Sequence, residues 1–448
     1  MYNSILIGID EIWLKSEVTR KKLMKILLED IKKRINTEKI IEKRGRIIID
    51  EYNDEYLEKL KKVFGIKVIY PAIKVKSDIN EISKAALILL ENSNLSFKIK
   101  TKRVYKEFSK NSLEVNREVG DFIVKNKNLK VDLKKPEKII YIEIHKEFSF
   151  VSDKKIKCLG GLPIGSEGKA IMLFSGGIDS MVASILIGKR GLNLDFLFIN
   201  LGGNIMEYFI VRAFEKIKEY FPYSKLFILD FDFENFFKIR EGYRQICFKY
   251  LIYKVAEEFS KFNNNYKAIV SGESIGQVSS QTFDSLILLE NQIEVPILRP
   301  LISFNKDEIF ELGKKFGLLE FRAPELCQLE KHSDAHPLEN ILKEEFSKLN
   351  IDFRDLIKNI REAKKEEFDF SIFIKYYNKD LIVVDIKEAD KINFKSDNSY
   401  LIVCPKGILA YHYAKKLREK GINAYALDYK TATRLGYKVK QISEENNK

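Results

Sequence analysis

The sequence predicts a multidomain protein with an α+β N-terminal part, a central α/β doubly wound parallel sheet and a small α/β unit at its C-terminus. Three observations predict this fold class. The first 165 residues mix alternating strands with amphipathic helices, and residues 170–317 alternate buried apolar strands with helices. A further strand, loop and helix follow a charged stretch near residue 400. A chain of 448 residues is long enough for about two to four domains.

Positive charge is concentrated in the N-terminal third. The whole chain carries a net charge of +13, and residues 1–150 contain 33 Lys and Arg against 23 Asp and Glu. A basic region of this kind is typical of a protein that binds a polyanion, most often nucleic acid. The alternative is a general bias toward lysine, since Lys, Ile and Asn are abundant throughout.

Several classes of protein are excluded by what the sequence lacks. It has no uncharged apolar run of about 18 residues and no basic leader, so we expect a cytoplasmic protein without a transmembrane span. None of its four cysteines lies in a C-x-x-C pair, so the sequence predicts neither a zinc site nor an iron–sulfur site. His332 and His336 are expected to lie in a solvated loop, and Cys158, in a Gly-rich linker, is expected to be unreactive.

Residues 1–64 predict a ferredoxin-like unit with the element order β-α-β-β-α. The predicted strands are residues 4–9, 40–41 and 47–50, and the predicted helices are residues 19–35 and 54–63. The segment GIDEIWLKS, residues 8–16, also resembles the start of the tRNA 4-thiouridine synthetase family.

Residues 65–165 predict a second α+β unit. The pattern indicates helices at residues 78–91 and from Asn111 onward, and strands at residues 95–103, 129–133 and 139–144. The unit resembles a THUMP domain, which is an RNA-binding module. The resemblance implies contacts to an RNA backbone from Lys98, Lys100, Lys102, Arg103, Lys106 and Arg117. The alternative is a strand edge that lysines keep soluble.

The segment AIMLFSGGIDSMVA, residues 170–183, predicts a buried strand, a tight turn and the start of a helix. Gly176 and Gly177 let backbone N–H groups approach an anion, and the helix N-terminus adds partial positive charge. The spacing is not that of the Walker loop. It resembles the pyrophosphate loop (PP-loop) of enzymes that split ATP into AMP and pyrophosphate, in which the residue matching Asp179 helps to hold Mg²⁺. The alternative is an ordinary strand-to-helix turn.

Residues 166–345 continue as alternating strands and helices. Strands are predicted at residues 171–174, 196–201, 225–231 and 268–272, and helices at residues 180–190, 206–220 and 240–259. Three Gly-containing loops, residues 175–180, 200–203 and 271–282, follow strands of this sheet. Because ligands bind at the carboxyl ends of parallel strands, these loops predict a nucleotide site.

The motifs SGGIDS, FINLGG, GESIGQVSSQT and ILRPLISFNKDEI together resemble the tRNA 4-thiouridine synthetase (tRNA sulfurtransferase) family, and the resemblance runs from Ile5 to Leu427. It implies that ATP and Mg²⁺ are used and that Asp179 is required for activation. ATP contacts would map onto Leu173, Phe174, Lys249, Gly272 and Gln281. The glycine loops add the candidates Ser175, Gly176, Gly177, Ser180 and Gly202.

The two remaining candidate catalytic residues are cysteines. Cys327 follows Pro324 and Glu325 in a polar loop, where the family also carries a cysteine. After a helical connector predicted at residues 346–378, residues 379–448 place Cys404 between a strand and a helix that ends near Gly421. The loop CPKGILA resembles the active-site loop of a rhodanese domain, in which helix N–H groups and here Lys406 would stabilise a thiolate or persulfide. Only 19 residues separate Asp385 from Cys404, so the domain is trimmed.

The resemblance implies an enzyme that converts a uridine of tRNA, uridine 8 in this family, to 4-thiouridine. ATP would adenylate O4, a Cys404 persulfide would deliver sulfur, and Cys327 would close a disulfide that a reductant reopens. A cysteine desulfurase would be the sulfur donor, thiamine thiazole synthesis a second recipient, and a homodimer the assembly. The alternatives are an RNA-binding sulfur carrier without adenylation and a PP-loop enzyme that modifies another tRNA base or forms an amide.

Overall fold

The computed structural model describes residues 2–43, 45–90, 95–201, 203–263, 265–319, 329, 333–363, 372, 378–404 and 408–438. The chain divides into two compact units, residues 1–168 with 187–193 and residues 169–186 with 194–448. Among the described residues we find no helix with the length and apolarity needed to cross a bilayer.

The first unit is built on one mixed sheet. Its strands are β1 (Ser4–Ile9), β2 (Ile40–Lys43), β3 (Arg46–Ile49), β4 (Ile66–Lys76), β5 (Phe97–Arg103), β6 (Lys138–Ile144), β7 (Phe148–Ser152) and β8 (Ile156–Lys157). Its helices are α1 (Glu17–Ile35), α2 (Asp54–Leu60), α3 (Ile79–Leu89) and α4 (Ser112–Lys127). The strand order is β2-β3-β1-β4-β7-β6-β5, and β8 also pairs with β4.

Strand β4 joins the two predicted N-terminal units into this one sheet. Its first part pairs antiparallel with β1, and its second part pairs antiparallel with β7. No strand is predicted here from the sequence, in which Pro71, with no N–H to donate, interrupts the apolar run. Pro71 nevertheless lies opposite Ile5 within the ladder.

The helices cover one face of the sheet. Residues of α1 and α2 pack with β1, β3 and the first half of β4 in one apolar cluster. Residues of α3 and α4 pack with β5, β6 and β7 in a second cluster. Ile69 and Ile73 belong to different clusters and point to the same face, because side chains repeat every two residues along a strand.

Local signals explain where helices begin and end in this unit. The predicted start of α4 is confirmed, since Asn111 caps the helix in a reciprocal capping box with Glu114. Asn128 ends that helix in a left-handed conformation with φ of 53°. The predicted strand at residues 129–133 is wrong: Val131 forms only an isolated bridge with Phe97.

The second unit contains two sheets, which are parallel except for one edge strand of the larger sheet. Its strands are β9 (Gly168–Leu173), β10 (Leu192–Asn200), β11 (Leu226–Asp230), β12 (Ile269–Val270), β13 (Ile297–Leu298), β14 (Arg361–Glu362), β15 (Leu381–Asp385), β16 (Ser399–Cys404) and β17 (Asn423–Asp428). Its helices are α5 (Ile178–Gly188), α6 (Gly203–Lys218), α7 (Arg244–Asn263), α8 (Phe283–Glu290), α9 (Lys306–Lys315), α10 (Glu339–Ser347), α11 (Phe353–Leu356), α12 (Ile408–Glu419) and α13 (Tyr429–Arg434).

The larger sheet has the order β13-β12-β9-β10-β11-β14. The chain moves from β9 outward to β11 and then returns to place β12 and β13 on the other side of β9. This reversal is a topological switch point, and it opens a crevice at the carboxyl ends of β9 and β12. The doubly wound parallel sheet predicted from the sequence is therefore confirmed, with β14 as an antiparallel edge strand.

The first part of the predicted helical connector belongs to this sheet and its core. Phe346, Leu349 and Ile357 lie in the same apolar cluster as α7, and β14 pairs with β11. Residues 346–363 of the predicted connector include the helix α11, and several of their apolar side chains are buried in the central core. Residues 364–371 and 373–377 of the predicted connector lie outside the described part of the chain.

The C-terminal part forms a three-stranded parallel sheet in the order β15-β16-β17. Residue Cys404 ends β16 and lies opposite Asp428 of β17, and α12 follows four residues later. The predicted strand up to Cys404 and the predicted helix after it are confirmed, and residues 405–407 between them lie outside the described part of the chain. Helix α12 packs against β16 and β17 and also contacts α6.

Candidate nucleotide-binding site

The loop between β9 and α5 is held in shape by its own hydroxyl groups. Gly176 adopts φ of 69°, which favours glycine. Ser180 Oγ donates to the Gly177 carbonyl at 2.9 Å, and Ser175 Oγ accepts from the Gly177 N–H at 3.3 Å. The Met181 N–H bonds the Gly177 carbonyl, so the N–H groups of residues 178–180 have no acceptor within the helix. Such groups bind anions.

Asp179, in the first turn of α5, lies beside this loop. Its Oδ2 accepts from Gln277 Nε2 at 3.1 Å and lies 3.7 Å from Lys306 Nζ. Its Oδ1 and the Oε1 of Gln277 are buried without a hydrogen-bond partner among the described residues. A buried polar atom without a partner is costly unless a ligand supplies one.

These two oxygens fit the chemistry of Mg²⁺. The ion takes oxygen ligands and is usually held by one or two carboxylates together with substrate phosphates. Asp179 offers a carboxylate oxygen and Gln277 an amide oxygen, next to the loop whose N–H groups suit phosphate. Among the described residues, no group of three or more His, Cys, Asp and Glu forms a protein-only metal cage.

A cavity of about 200 Å³ opens at the carboxyl ends of β9, β10 and β12. Apolar side chains from β10 and α7 form much of its wall, including Leu197, Phe248 and Ile252. The structure brings eight of the predicted residues together around it: Leu173, Phe174, Ser175, Asp179, Ser180, Lys249, Gly272 and Gln281. Gly176 and Gly177 lie in the adjoining loop, and Gly202 lies outside the described residues.

Lys249 and Gln281 are oriented by the loop that follows β12. Lys249 Nζ lies 2.6 Å from Glu273 Oε1 and 3.2 Å from the Ser280 carbonyl. Gln281 Oε1 accepts from the Ser274 N–H at 3.0 Å, so the amide group also closes the loop on itself.

Sequence reasoning missed three polar residues of this site: Gln277, Lys306 and Glu273. Gln277 and Lys306 contact Asp179, and Glu273 contacts Lys249. The sequence does hold one signal for Lys306. It is the first residue of α9 and directly follows Asn305, which caps that helix in a capping box. Glu273 is adjacent to Gly272, but only the folded chain shows what it pairs with.

A face of β5 carries three of the predicted RNA-contacting residues. Lys98, Lys100 and Lys102 alternate along the strand with the buried Phe97 and Ile99, so they lie on the face opposite α3 and α4. Lys100 and Lys102 line a cavity of about 130 Å³ with Tyr70, Tyr141 and the buried Arg46–Glu143 ion pair.

Arg103 differs from these lysines. By the same alternation it lies on the helix face, and its Nη1 donates to the carbonyls of Lys106, Phe108 and Lys110. Its guanidinium therefore fixes the loop before α4. Lys106 is exposed in that loop, and Arg117 is exposed on α4, 3.9 Å from Asp121.

The C-terminal cysteine lies at the carboxyl edge of its own sheet. Cys404 is 2% exposed, and its Sγ accepts from the Ala410 N–H in α12 at 3.4 Å. Tyr429, just after β17, bonds Asp385 at the end of β15 at 2.5 Å. Lys406 and Cys327 both lie outside the described residues.

The structure also describes Cys158 and His336, for which no catalytic or metal-binding role is predicted. Burial raises the pKa of the Cys158 thiol to about 12, so little reactive thiolate exists at neutral pH. His336 is exposed and contacts Asp284 at 2.6 Å. His332 lies outside the described residues.

Three family models match successive parts of the chain. The model described as the ThiI ferredoxin-like domain matches residues 4–69, and the THUMP domain matches residues 76–153. The model described as "Thiamine biosynthesis protein (ThiI)" matches residues 165–353. The ferredoxin-like and THUMP predictions are thereby confirmed.

Whole proteins match over most of the chain. A "Probable tRNA sulfurtransferase" of Thermoanaerobacter sp. (strain X514) is 34% identical over 385 residues, which are 81% of this chain and 99% of that protein. One of Saccharolobus solfataricus is 35% identical over 360 residues, 78% of this chain and 96% of that protein. A solved structure described as a "4-thiouridine synthetase - RNA complex with bound ATP" is 27% identical with a TM-score of 0.70, and covers 81% of this chain and 99% of its own.

The phosphate loop at the switch point of a parallel sheet, together with the N-terminal THUMP domain, defines a PP-loop protein of the THUMP-containing class. Within that class, the chain belongs to the tRNA sulfurtransferase (4-thiouridine synthetase) family.

Proposed function

We propose that this protein uses ATP and Mg²⁺ to convert uridine 8 of tRNA to 4-thiouridine in the cytoplasm. The observation that carries the proposal is the position of Asp179. Among the described residues its Oδ1 has no hydrogen-bond partner, and it lies beside the loop of residues 175–180 and a cavity of about 200 Å³ with apolar walls. The names of the relatives, and the ATP and RNA named for the matching solved structure, support the same substrates.

The first step is activation of the uracil carbonyl. Leu173, Phe174 and Gln281 surround the nucleotide, while residues 175–180 hold its phosphates through backbone N–H groups and hydroxyls. Uridine O4 attacks the α-phosphorus, and pyrophosphate leaves. Asp179 and Gln277 would hold Mg²⁺, which would supply positive charge to stabilise the leaving pyrophosphate. Lys306, beside Asp179, adds to that charge.

The second step is sulfur transfer. A cysteine desulfurase leaves a persulfide on Cys404, whose terminal sulfur attacks C4 and displaces AMP. Cys327 then attacks the Cys404 sulfur, which releases 4-thiouridine and forms a Cys327–Cys404 disulfide. A dithiol reductant returns both cysteines to thiols and is itself oxidised. The helix start after Cys404, with the Ala410 N–H on the sulfur, supports this role.

RNA binding is assigned to the first unit. The excess of basic residues in 1–150 and the row formed by Lys98, Lys100 and Lys102 supply charge for backbone contacts. Lys106, in the loop before α4, and Arg117, on α4 itself, are exposed and add basic groups beside that helix, while Arg103 keeps the neighbouring loop in place. A homodimer and a supply of sulfur for thiamine thiazole synthesis are further parts of the proposal.

The test is a complete reaction with nucleoside analysis. Purified protein is incubated with tRNA, ATP, Mg²⁺, cysteine, a cysteine desulfurase and a reductant. We expect 4-thiouridine at position 8 together with one AMP for each modified tRNA. Sulfur on the protein without AMP would favour a carrier, and AMP with a different modified base would favour another PP-loop reaction.

A further inference from the structure

The buried carboxylate of Glu273 lies in the wall of the nucleotide cavity. Its side chain is only 8% exposed. Oε1 accepts from Lys249 Nζ at 2.6 Å, and Oε2 accepts from the Tyr253 hydroxyl at 2.5 Å and Arg299 Nε at 3.0 Å. Lys249 and Tyr253 are one helical turn apart on α7, whereas Arg299 follows β13. Glu273 therefore joins three elements of the central fold at one point.

These partners keep Glu273 ionised. Burial alone would raise the pKa of its carboxyl, but the nearby Lys249, with Tyr253 and Arg299, lowers it to about 2. A carboxylate with so low a pKa is a poor general base at neutral pH, and its oxygens are already occupied. Its contribution is a fixed negative charge that orients cations.

The ammonium group of Lys249 is the cation with the most direct access to the cavity. An ammonium has three N–H donors. Within the described chain, Glu273 and the Ser280 carbonyl accept two of them, and Lys249 itself lines the cavity. One donor is left for a ligand, and two fixed acceptors set its direction.

We propose that Glu273 is a positioning residue for nucleotide binding, which holds the Lys249 ammonium so that its third N–H meets ATP. The inference rests on the proposed use of this cavity for ATP. A positioned donor loses less rotational freedom on binding than a free lysine does, so the gain is in ATP affinity.

A purely structural role is the competing explanation, and the chain offers a matched control for it. Arg299 also bonds Glu290, at the end of α8, whose side chain is 46% exposed. Glu290→Gln removes a carboxylate from Arg299 without touching Lys249. Glu273→Gln keeps the shape of the side chain but removes its charge. Both Lys249 and Arg299 then lose a carboxylate partner.

The experiment measures ATP binding by calorimetry and the KM for ATP in tRNA-dependent AMP formation, with thermal melting as a check of folding. For Glu273→Gln we expect at least a tenfold weaker Kd and higher KM for ATP, with kcat at saturating ATP within threefold of wild type. Glu290→Gln should bind ATP within twofold of wild type. Glu273→Asp, which keeps the charge, should recover part of the lost affinity.

Lys249→Met tests the link between the two residues. If Glu273 acts through Lys249, the double variant Lys249→Met/Glu273→Gln should bind ATP no more weakly than the single variant Lys249→Met. Additive losses, or equal losses in Glu273→Gln and Glu290→Gln, overturn the inference. If the wild-type protein itself fails to bind ATP, the proposed nucleotide site fails first, and the inference fails with it.

Discussion

Gly272 and Asp179 are in such close contact that a Cβ on Gly272 would lie 2.9 Å from the carbonyl carbon of Asp179. The same Cβ would lie 2.9 Å from the Ser180 backbone nitrogen. The resemblance to the family implies that Gly272 contacts ATP, which would need room for a nucleotide beside it. The structure gives that room to the first turn of α5, so Gly272 positions the phosphate loop against β12.

Gly272→Ala should therefore damage both folding and catalysis. The new methyl group meets backbone atoms, which cannot move without displacing Asp179. We expect a lower melting temperature and at least about a tenfold loss of AMP formation. Gly120→Ala in α4 is the matched control, because its Cβ meets nothing within 4 Å. That change should leave activity intact and stabilise the helix by up to about 1 kcal/mol.

Asp179→Asn should separate activation from RNA binding. The amide keeps the size of the side chain and can accept from Gln277, but it loses the charge near the phosphate loop. We expect tRNA-dependent AMP formation to fall by at least about 100-fold, with tRNA affinity within twofold of wild type. Asp284→Asn, which removes an exposed carboxylate contacted by His336, serves as control. If Asp179→Asn formed AMP at the wild-type rate, the assignment of residues 175–180 as a pyrophosphate loop would be wrong.

The lysines of β5 predict a salt-dependent affinity for tRNA. Replacing Lys100 and Lys102 by alanine should weaken binding and reduce the slope of log affinity against log salt by up to about 2. Lys314 and Lys315, exposed at the end of α9, provide a control of equal charge. If both double variants change the slope equally, the β5 face is not the RNA-contacting surface.

Cys404→Ser and Cys327→Ser should fail at different steps. Cys404→Ser should lose persulfide loading from a desulfurase but still form AMP with tRNA, whereas Cys327→Ser should load persulfide and stop after one turnover. Without reductant, the wild-type protein should accumulate a Cys327–Cys404 disulfide, visible by peptide mapping. Wild-type thiolation by Cys404→Ser, with desulfurase as the only donor, would assign the carrier role elsewhere.

The Arg46–Glu143 pair predicts how the stability of the first unit depends on pH. Burial raises the pKa of Glu143, but Arg46 and His145 outweigh it and lower the value from 4.5 to about 2. The depressed pKa means that the pair stabilises the fold fully above pH 4.5, and that this stability is lost as pH falls toward 2. The contribution is on the order of 3 kcal/mol. Glu143→Gln should flatten melting temperature against pH in this window, and an unchanged acid limb would contradict the assignment.

Local patterns in the sequence predict the strand, loop and helix around Asp179 in the second unit and a helix start in the first unit. The abrupt change from the apolar residues before Ser175 to two glycines and a helical pattern predicts the strand, loop and helix around Asp179. The same holds for Asn111, whose cap sets the start of α4. These features are local, because a few neighbouring residues determine each of them.

The features that could not be predicted from the sequence depend on contacts between residues far apart in the chain. Strand β4 could not be recognised because Pro71 interrupts its pattern. The place of β4 in the sheet depends on pairing with β1, which is more than 60 residues away in the chain. The pairing of Glu273 with Lys249 and Arg299, and of Lys306 with Asp179, likewise arises only when distant elements meet. Residues 346–363 have a charged pattern, but Phe346 and Ile357 are buried against α7.

The shared strand β4 also has a consequence for cooperativity. Separating the two halves of the N-terminal sheet would leave the backbone groups of β1 and β7 without their partners on β4, so neither half can melt without exposing a new edge. Amide protons along Ile66–Lys76 should therefore exchange with solvent only when the whole sheet opens, and they should be among the slowest in the unit.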